Sequence, residues 1–278
     1  MVLSVPPLIF VMKPIISTIT ATHNTPYSTL YTVLSLLKFN PDFQFKIHII
    51  DQGDPNELTE SFVRPFCYRY EKDPTLRQTG WSFHGCAISR FCDKWLEDDF
   101  FLTLDSDLYS VKEGGFNILY EALISDDRNY AASSHLVSGK YIDPKWNIVS
   151  EEKAMAEPYK YYWYTAQSCM WYSLRKNDED FKRVSEVFRF STGIQCGIGP
   201  VVGGYMVEKT YDTGGFISAG MRLRDRVGIE VPAVRDYILH AGALSTTPGK
   251  YAAREEELKE KCLEINPNDL KNYIKSGS

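Results

Sequence analysis

Asp105, Ser106 and Asp107 stand directly after the apolar run FFLTL at residues 100–104. Two carboxylates one residue apart at a strand end can share a hard divalent cation. Mg²⁺ or Mn²⁺ held this way commonly bridges to the phosphates of a substrate. The same tripeptide also serves as a loop of solvated aspartates. The strand before it favours a site, because open α/β sheets bind ligands beyond the carboxyl ends of their strands. An aspartate-nucleophile phosphatase sets a similar pair after its first strand, with a small or hydroxyl residue two places on. Here the pair lies past residue 100 and Tyr109 takes that place.

Other polar residues also end apolar runs. Asp51 follows FKIHII, where it either accepts a hydrogen bond from a base N–H, selecting uracil or guanine, or caps its own turn. Arg90 either reaches a phosphate bidentately or is solvated on its helix. His240 closes the run VRDYILH, and His84 stands beside Gly85 at a helix start. Asp212 precedes a helix that it can cap. His48 alternates within a strand and reads as structural, while His135 has no assigned role.

These residues need a scaffold, and the periodicity supplies one. Residues 15–22 form a β-rich run between Pro14 and the loop His23, Asn24, Thr25, Pro26. Leu30, Val33, Leu34 and Leu37 recur at helical spacing, which predicts a helix over 27–38. A second strand over 45–50 completes a βαβ unit, the signature of a parallel sheet covered on both faces. A third strand is expected at 66–70, a helix at 81–95, a central strand at 100–104, a helix around Phe116, Leu119 and Leu123, and a strand at 130–137. Beyond residue 140 the pattern loosens. A helix is expected over 216–227, a strand over 234–240 and a charged helix over 252–262. The expected organisation is one domain over 1–278, in regular α/β order over 15–140 and less regular over 141–278, which ends in the charged helix.

Composition narrows the classes. Against 31 basic residues stand 36 acidic ones, a net charge of −5, which argues against the broad basic surface of a nucleic-acid binder. The apolar stretch at 2–12 is too short to span a bilayer and contains Pro6 and Pro7; its nearest lysine, Lys13, follows it, unlike a secretory leader. No transmembrane segment is expected. Six scattered cysteines without a CxxC pair point to reduced thiols and a cytoplasmic protein. The Gly-rich 193–204 lacks the GK[ST] ending of a triphosphate loop. The aromatic cluster at 158–172 reads either as core or as a stacking face for a sugar.

The pieces TATHN, IIDQGD, TGWSFHGCAISR and FFLTLDSDL stand in order over residues 15–140. Together they resemble the GT-A glycosyltransferases, particularly family 2-like members. The resemblance implies a GT-A-like α/β fold with a mostly parallel central sheet flanked by helices. It implies that the loop Thr20, Thr22, His23 and Asp51 holds the base and ribose of a nucleotide sugar, with Gly85 and Arg90 framing the donor site. Asp105, Ser106 and Asp107 would then serve the ribose and a metal-bound diphosphate, with His240 completing the metal set. It places a general base ahead of a downstream helix, for which Asp212 is the candidate and Glu208 and Asp225 the reserves. The family's paired acid is missing there, so the inverting outcome rests on Asp212 alone. The implied activity is transfer of a sugar from a UDP- or GDP-linked donor to a hydroxyl of a glycan or other acceptor, with Mn²⁺ or Mg²⁺. The rivals are a nucleotidyltransferase making a nucleotide sugar, which would need a basic Gly-rich loop where THNTPYS stands, and a non-catalytic carbohydrate-binding protein.

Overall fold

The structure, a computed structural model, describes residues 14–54, 59–75, 83–134, 140–142, 147–157, 160, 162–165, 172–187, 193–195, 201–202, 205–206, 209–211, 215–241, 248–266 and 268–270. The chain opens with β1 (Ile15–Thr22), α1 (Pro26–Phe39) and β2 (Gln44–Asp51). It continues through α2 (Thr59–Val63), β3 (Arg69–Lys72), α3 (Phe83–Lys94) and β4 (Phe100–Leu104), then β5 (Leu108–Ser110), α4 (Gly115–Ile124) and β6 (Asn129–Ser133). Next come β7 (Lys140–Ile142), β8 (Ile148–Val149), α5 (Glu151–Ala156), β9 (Tyr162–Thr165), β10 (Tyr172–Lys176) and α6 (Glu179–Val187). The described part ends with β11 (Gly193–Gln195), β12 (Val201–Val202), β13 (Tyr205–Met206), β14 (Lys209–Tyr211), α7 (Gly215–Arg222), β15 (Val227–Glu230), β16 (Ile238–His240) and α8 (Pro248–Leu263).

Seven strands form the central sheet in the order β15-β6-β10-β4-β1-β2-β3. All run parallel except β10, which is antiparallel to both β4 and β6. The sheet is therefore mostly parallel, as expected, with one reversed strand that periodicity did not reveal. Hydrophobic layers cover both faces. On one, Leu30, Val33 and Leu37 of α1 and Phe116, Leu119 and Leu123 of α4 pack over Ile47, Leu102 and Leu174. On the other, Ala87 and Phe91 of α3, Phe181 of α6 and Met221 of α7 pack over Ile19, Phe101 and Tyr130. Phe101 and Leu102 thus point to opposite layers, as the two-residue period of a strand requires. A second sheet, β11-β14-β9-β7-β8, is built from the later half. Among the described residues no helix is long and apolar enough to cross a membrane.

Several expected boundaries need correction. The third strand lies at Arg69–Lys72, preceded by a 3-10 turn at Arg64–Phe66 that opens on Arg64 and Pro65. The run 234–240 is a 3-10 helix over Pro232–Tyr237 and only then a strand, Ile238–His240. Pro232 sets that helical start, since its fixed φ suits a first helical position. The helix expected to reach residue 227 ends at Arg222, and Asp225 turns the chain at φ 56 into β15. The expected strand 130–137 is Asn129–Ser133, with 135–139 outside the described residues. Cys67, Cys86, Cys92 and Cys262 are free thiols; burial pushes Cys67 and Cys262 up to about 12.

His48, in β2, is fully buried with no hydrogen-bond partner on either ring nitrogen. Its ring stacks on Trp95 at 5.8 Å and meets the edge of Phe91 at 5.0 Å. Burial, with Arg69 nearby, pushes its pKa down to about 3. The folded state therefore favours neutral imidazole. That contribution is complete above the unfolded value of 6.5 and is lost as pH falls from there towards 3, at about 1.4 kcal/mol per unit. His48→Leu, which removes two orphaned nitrogens and keeps the apolar contacts, should stabilise the protein, and more at pH 5 than at pH 8. Urea unfolding at both values reads this; an equal change at the two would refute it.

Candidate active site

The strand order contains a reversal. From β1 the chain steps outward to β2 and β3, then returns to place β4 on the other side of β1. α1 and α3 accordingly pack on opposite faces, and the carboxyl ends of β1 and β4 lie side by side where the strand order turns back. Such switch points are where open α/β sheets take ligands. Thr22 and Asp51 are aligned at this rim by the β1–β2 register. Asp105 and Asp107 emerge from β4 beside them.

Backbone pairing brings His240 to the aspartates. β5, which follows Asp107, forms an antiparallel ladder with β16, setting His240 opposite Leu108. Ala241 N–H donates to the Asp107 carbonyl at 3.0 Å, and Val111 N–H to the Tyr237 carbonyl at 2.8 Å. The His240 Nε2 then stands 3.4 Å from an Asp107 carboxylate oxygen. From the other layer, His84 on α3 brings its Nε2 to 3.7 Å from Asp105. The hydrogen bond that His240 donates to Asp107 raises its pKa against the opposing effect of burial, and the charges of Asp107 and Asp105 add to the rise.

Asp105, Asp107 and His240 offer three ligand atoms that all lie within 4.8 Å of one another, on partly buried side chains. Bonds of roughly 2.0–2.6 Å to a hard divalent ion place two donors at most about 5 Å apart, so the spacing fits. Two carboxylates with one imidazole and no thiolate suit Mn²⁺ better than Mg²⁺, which prefers a shell of oxygens alone.

α1 holds the turn between the two aspartates. Ser28 and Thr32, one helical turn apart, donate their hydroxyls to the Ser106 carbonyl at 2.8 and 3.0 Å. Ser28 also pairs with the Tyr109 hydroxyl at 2.8 Å, and Ser35 accepts from Ser110 N–H at 3.1 Å. All three α1 residues are buried. The sequence alone assigns them no role, although Ser28, Thr32 and Ser35 form a polar stripe at helical spacing beside the apolar face of Leu30, Val33, Leu34 and Leu37.

The other expected donor-site residues divide. Thr20 is buried in β1 with a hydroxyl that has no partner. Thr22 closes a hydroxyl cluster with Thr25 at 2.8 Å and Thr29 at 2.6 Å. His23 Nδ1 meets the Gln52 carbonyl at 3.1 Å. Asp51 is fully buried and caps its own turn, accepting from Gly53 N–H at 2.7 Å; its second oxygen accepts from the Tyr70 hydroxyl at 2.5 Å and faces Lys72 at 3.5 Å. A side chain on Gly53 would collide with Asn24 at 2.5 Å, so the β1 and β2 loops meet closely there. Gly85 is buried in the first turn of α3. Arg90 is not solvated; Glu71 and Asp73 bind its guanidinium and tie α3 to the end of β3. Asp212 and Glu208 lie outside the described residues. Asp225 precedes the start of β15, which is parallel to β6, so it sits at the rim opposite Asp105 and cannot serve as base.

The chain thus has the α/β layout expected of the GT-A class, a mostly parallel sheet flanked by helices with a carboxylate pair at its switch point. No family model matches it, and no curated protein does. Among solved structures it is similar to the mannosyltransferase PcManGT from Pyrobaculum calidifontis in complex with GDP-Man and Mn²⁺, at 13% identity and TM-score 0.47 over 80% of this chain and 56% of that one. It is also similar to the WbbM bifunctional glycosyltransferase apo structure, at 9% identity and TM-score 0.47 over 90% and 52%. A third likeness is mannosyl-3-phosphoglycerate synthase from Rubrobacter xylanophilus, at 14% identity and TM-score 0.33 over 43% and 39%. The chain spans about half the length of the first two and less of the third.

Proposed function

We propose that the chain is a metal-dependent glycosyltransferase that moves a sugar from a nucleoside-diphosphate donor to an acceptor hydroxyl. The observation that carries this reading is the cluster of Asp105, Asp107 and His240 at the switch point of the sheet. In this reading Asp105, Asp107 and His240 hold Mn²⁺, with Mg²⁺ a weaker substitute. The bound ion supplies Lewis acidity towards the diphosphate, on which negative charge grows as the glycosidic bond breaks. The Ser106 carbonyl, fixed by Ser28 and Thr32, keeps the two carboxylates at their spacing. His84 flanks Asp105 on the donor side.

The rim of Thr20, Thr22, His23 and Asp51 takes the base and ribose, with Gly85 at the start of α3 framing the donor site. Asp51 retains lone pairs for a base N–H, since a carboxylate offers about four acceptor sites. Arg90 is left out of the phosphate contacts, because Glu71 and Asp73 already neutralise it. Asp212 takes the proton of the acceptor hydroxyl as its oxygen attacks the anomeric carbon, the carbon–oxygen bond to the diphosphate breaks, and the nucleoside diphosphate leaves. A single displacement of this kind inverts the anomeric centre.

UDP and GDP should each be tested by thermal shift with Mn²⁺, with Mg²⁺ and with EDTA. One of them should raise the melting temperature only when metal is present, since a ligand at 100 times its Kd adds about 2.7 kcal/mol. Equal stabilisation in EDTA would remove the metal bridge. Metal-dependent binding without donor hydrolysis or transfer would move the assignment to a carbohydrate-binding protein.

A further inference from the structure

α8 is rich in charge, yet Glu255 within it is buried. One of its carboxylate oxygens accepts from Tyr27 N–H at 2.9 Å and the other from Ser28 N–H at 3.0 Å. These are orphan donors in the first turn of α1, which has no side-chain cap of its own. Thr25, the residue placed to provide one, spends its hydroxyl on Thr22 and Thr29. A carboxylate from 227 residues downstream replaces that cap and meets the positive end of the helix dipole. Ser28, which receives it on the backbone, hands its own hydroxyl to the Ser106 carbonyl, and Thr32 does the same one turn on.

We propose that Glu255 is a positioning residue for the metal site: by fixing the first turn of α1 it sets the Ser106 turn that spaces Asp105 from Asp107. The inference rests on the metal-dependent reading above. It makes α8 part of the site, although no residue of that helix belongs to the cluster of candidate ligands. Both the third donor, His240, and the cap on α1 come from the same late stretch of chain.

Mn²⁺ binding to the full chain, followed by electron paramagnetic resonance without nucleotide and well below the melting temperature, tests it. Glu255→Gln keeps size but supplies one acceptor oxygen and no charge; it should weaken Mn²⁺ about fivefold, the value of one helix cap. Thr32→Val, which cuts the clamp at its other end, should weaken Mn²⁺ as well. The double variant should fall short of the product of the two effects, since both act through one relay. With saturating Mn²⁺, kcat should stay near wild type while the apparent KM for Mn²⁺ rises. Leu123→Ala, which thins the layer under α4 and removes none of these hydrogen bonds, is the control for lost stability and should leave Mn²⁺ affinity unchanged. A Glu255→Gln affinity no different from that of Leu123→Ala overturns the proposal. If Glu255→Gln does not fold, unchanged Mn²⁺ binding by Thr32→Val overturns it equally. Wild-type protein that binds no Mn²⁺ would overturn the metal-dependent reading itself, a distinct result.

Discussion

Asp107→Asn should abolish both sugar transfer and donor hydrolysis while leaving the melting temperature within a few degrees of wild type. The substitution keeps the side chain's size and some hydrogen bonding but removes the charge that would hold the cation. The backbone contact from Ala241 to the residue 107 carbonyl survives, so the β5–β16 ladder stays in place. Loss of the pairing with His240 is offset by relief of repulsion from Asp105. A metal's stabilisation of a leaving phosphate is worth several kcal/mol, which corresponds to about two to four orders of magnitude in rate at 1.36 kcal/mol per decade. Substantial activity at saturating Mn²⁺ would mean that the metal is held elsewhere or is not required.

Asp212→Asn should reduce transfer by about 10²–10⁴-fold, the usual worth of a general base, and leave metal-dependent nucleotide binding intact. The asparagine substitution discriminates well here. Asparagine caps a helix about as well as aspartate, so a residue that only caps the helix at Gly215–Arg222 would give near wild-type transfer. His240→Ala should show the reverse order of effects, with metal-dependent nucleotide binding weakened first. Transfer at the wild-type rate by Asp212→Asn would return attention to Glu208, or to a retaining course that needs no such base.

The strands that bear the site were legible because their signals are local. β1 and β4 are short β-branched or aromatic runs cut off by polar residues, and both were bounded correctly by that alone. α1 was off by one residue at each end. What failed was non-local or geometrically ambiguous. β10 is a five-residue strand whose reversed direction comes from pairing with β4, some 70 residues earlier. Val234 and Tyr237, three apart, fit a 3-10 turn as readily as an alternating strand, and Pro232 decides between them. The carboxylate pair announced itself in three residues, but nothing local links Asp107 to His240; that contact exists because two backbones form a ladder. Type and position leave Asp51 as a base acceptor or a turn cap, the second of which holds, and Arg90 as a phosphate ligand or a solvated side chain. Their partners, Tyr70 and Glu71 of the edge strand and Asp73 just after it, lie 17–19 residues away from them in the chain.

The ladder between β5 and β16 also gives the site a timetable. His240 follows Asp105 by 135 residues in the chain, and synthesis proceeds at ~5–20 residues per second, so roughly 7–27 s separate their appearance on the ribosome. During that interval β1, α1, β2 and β4 exist and can pair, but the third donor and the carboxylate that caps α1 have yet to be made. A nascent or truncated chain ending before residue 240 carries the two aspartates at the sheet's edge without the histidine that completes the candidate metal set.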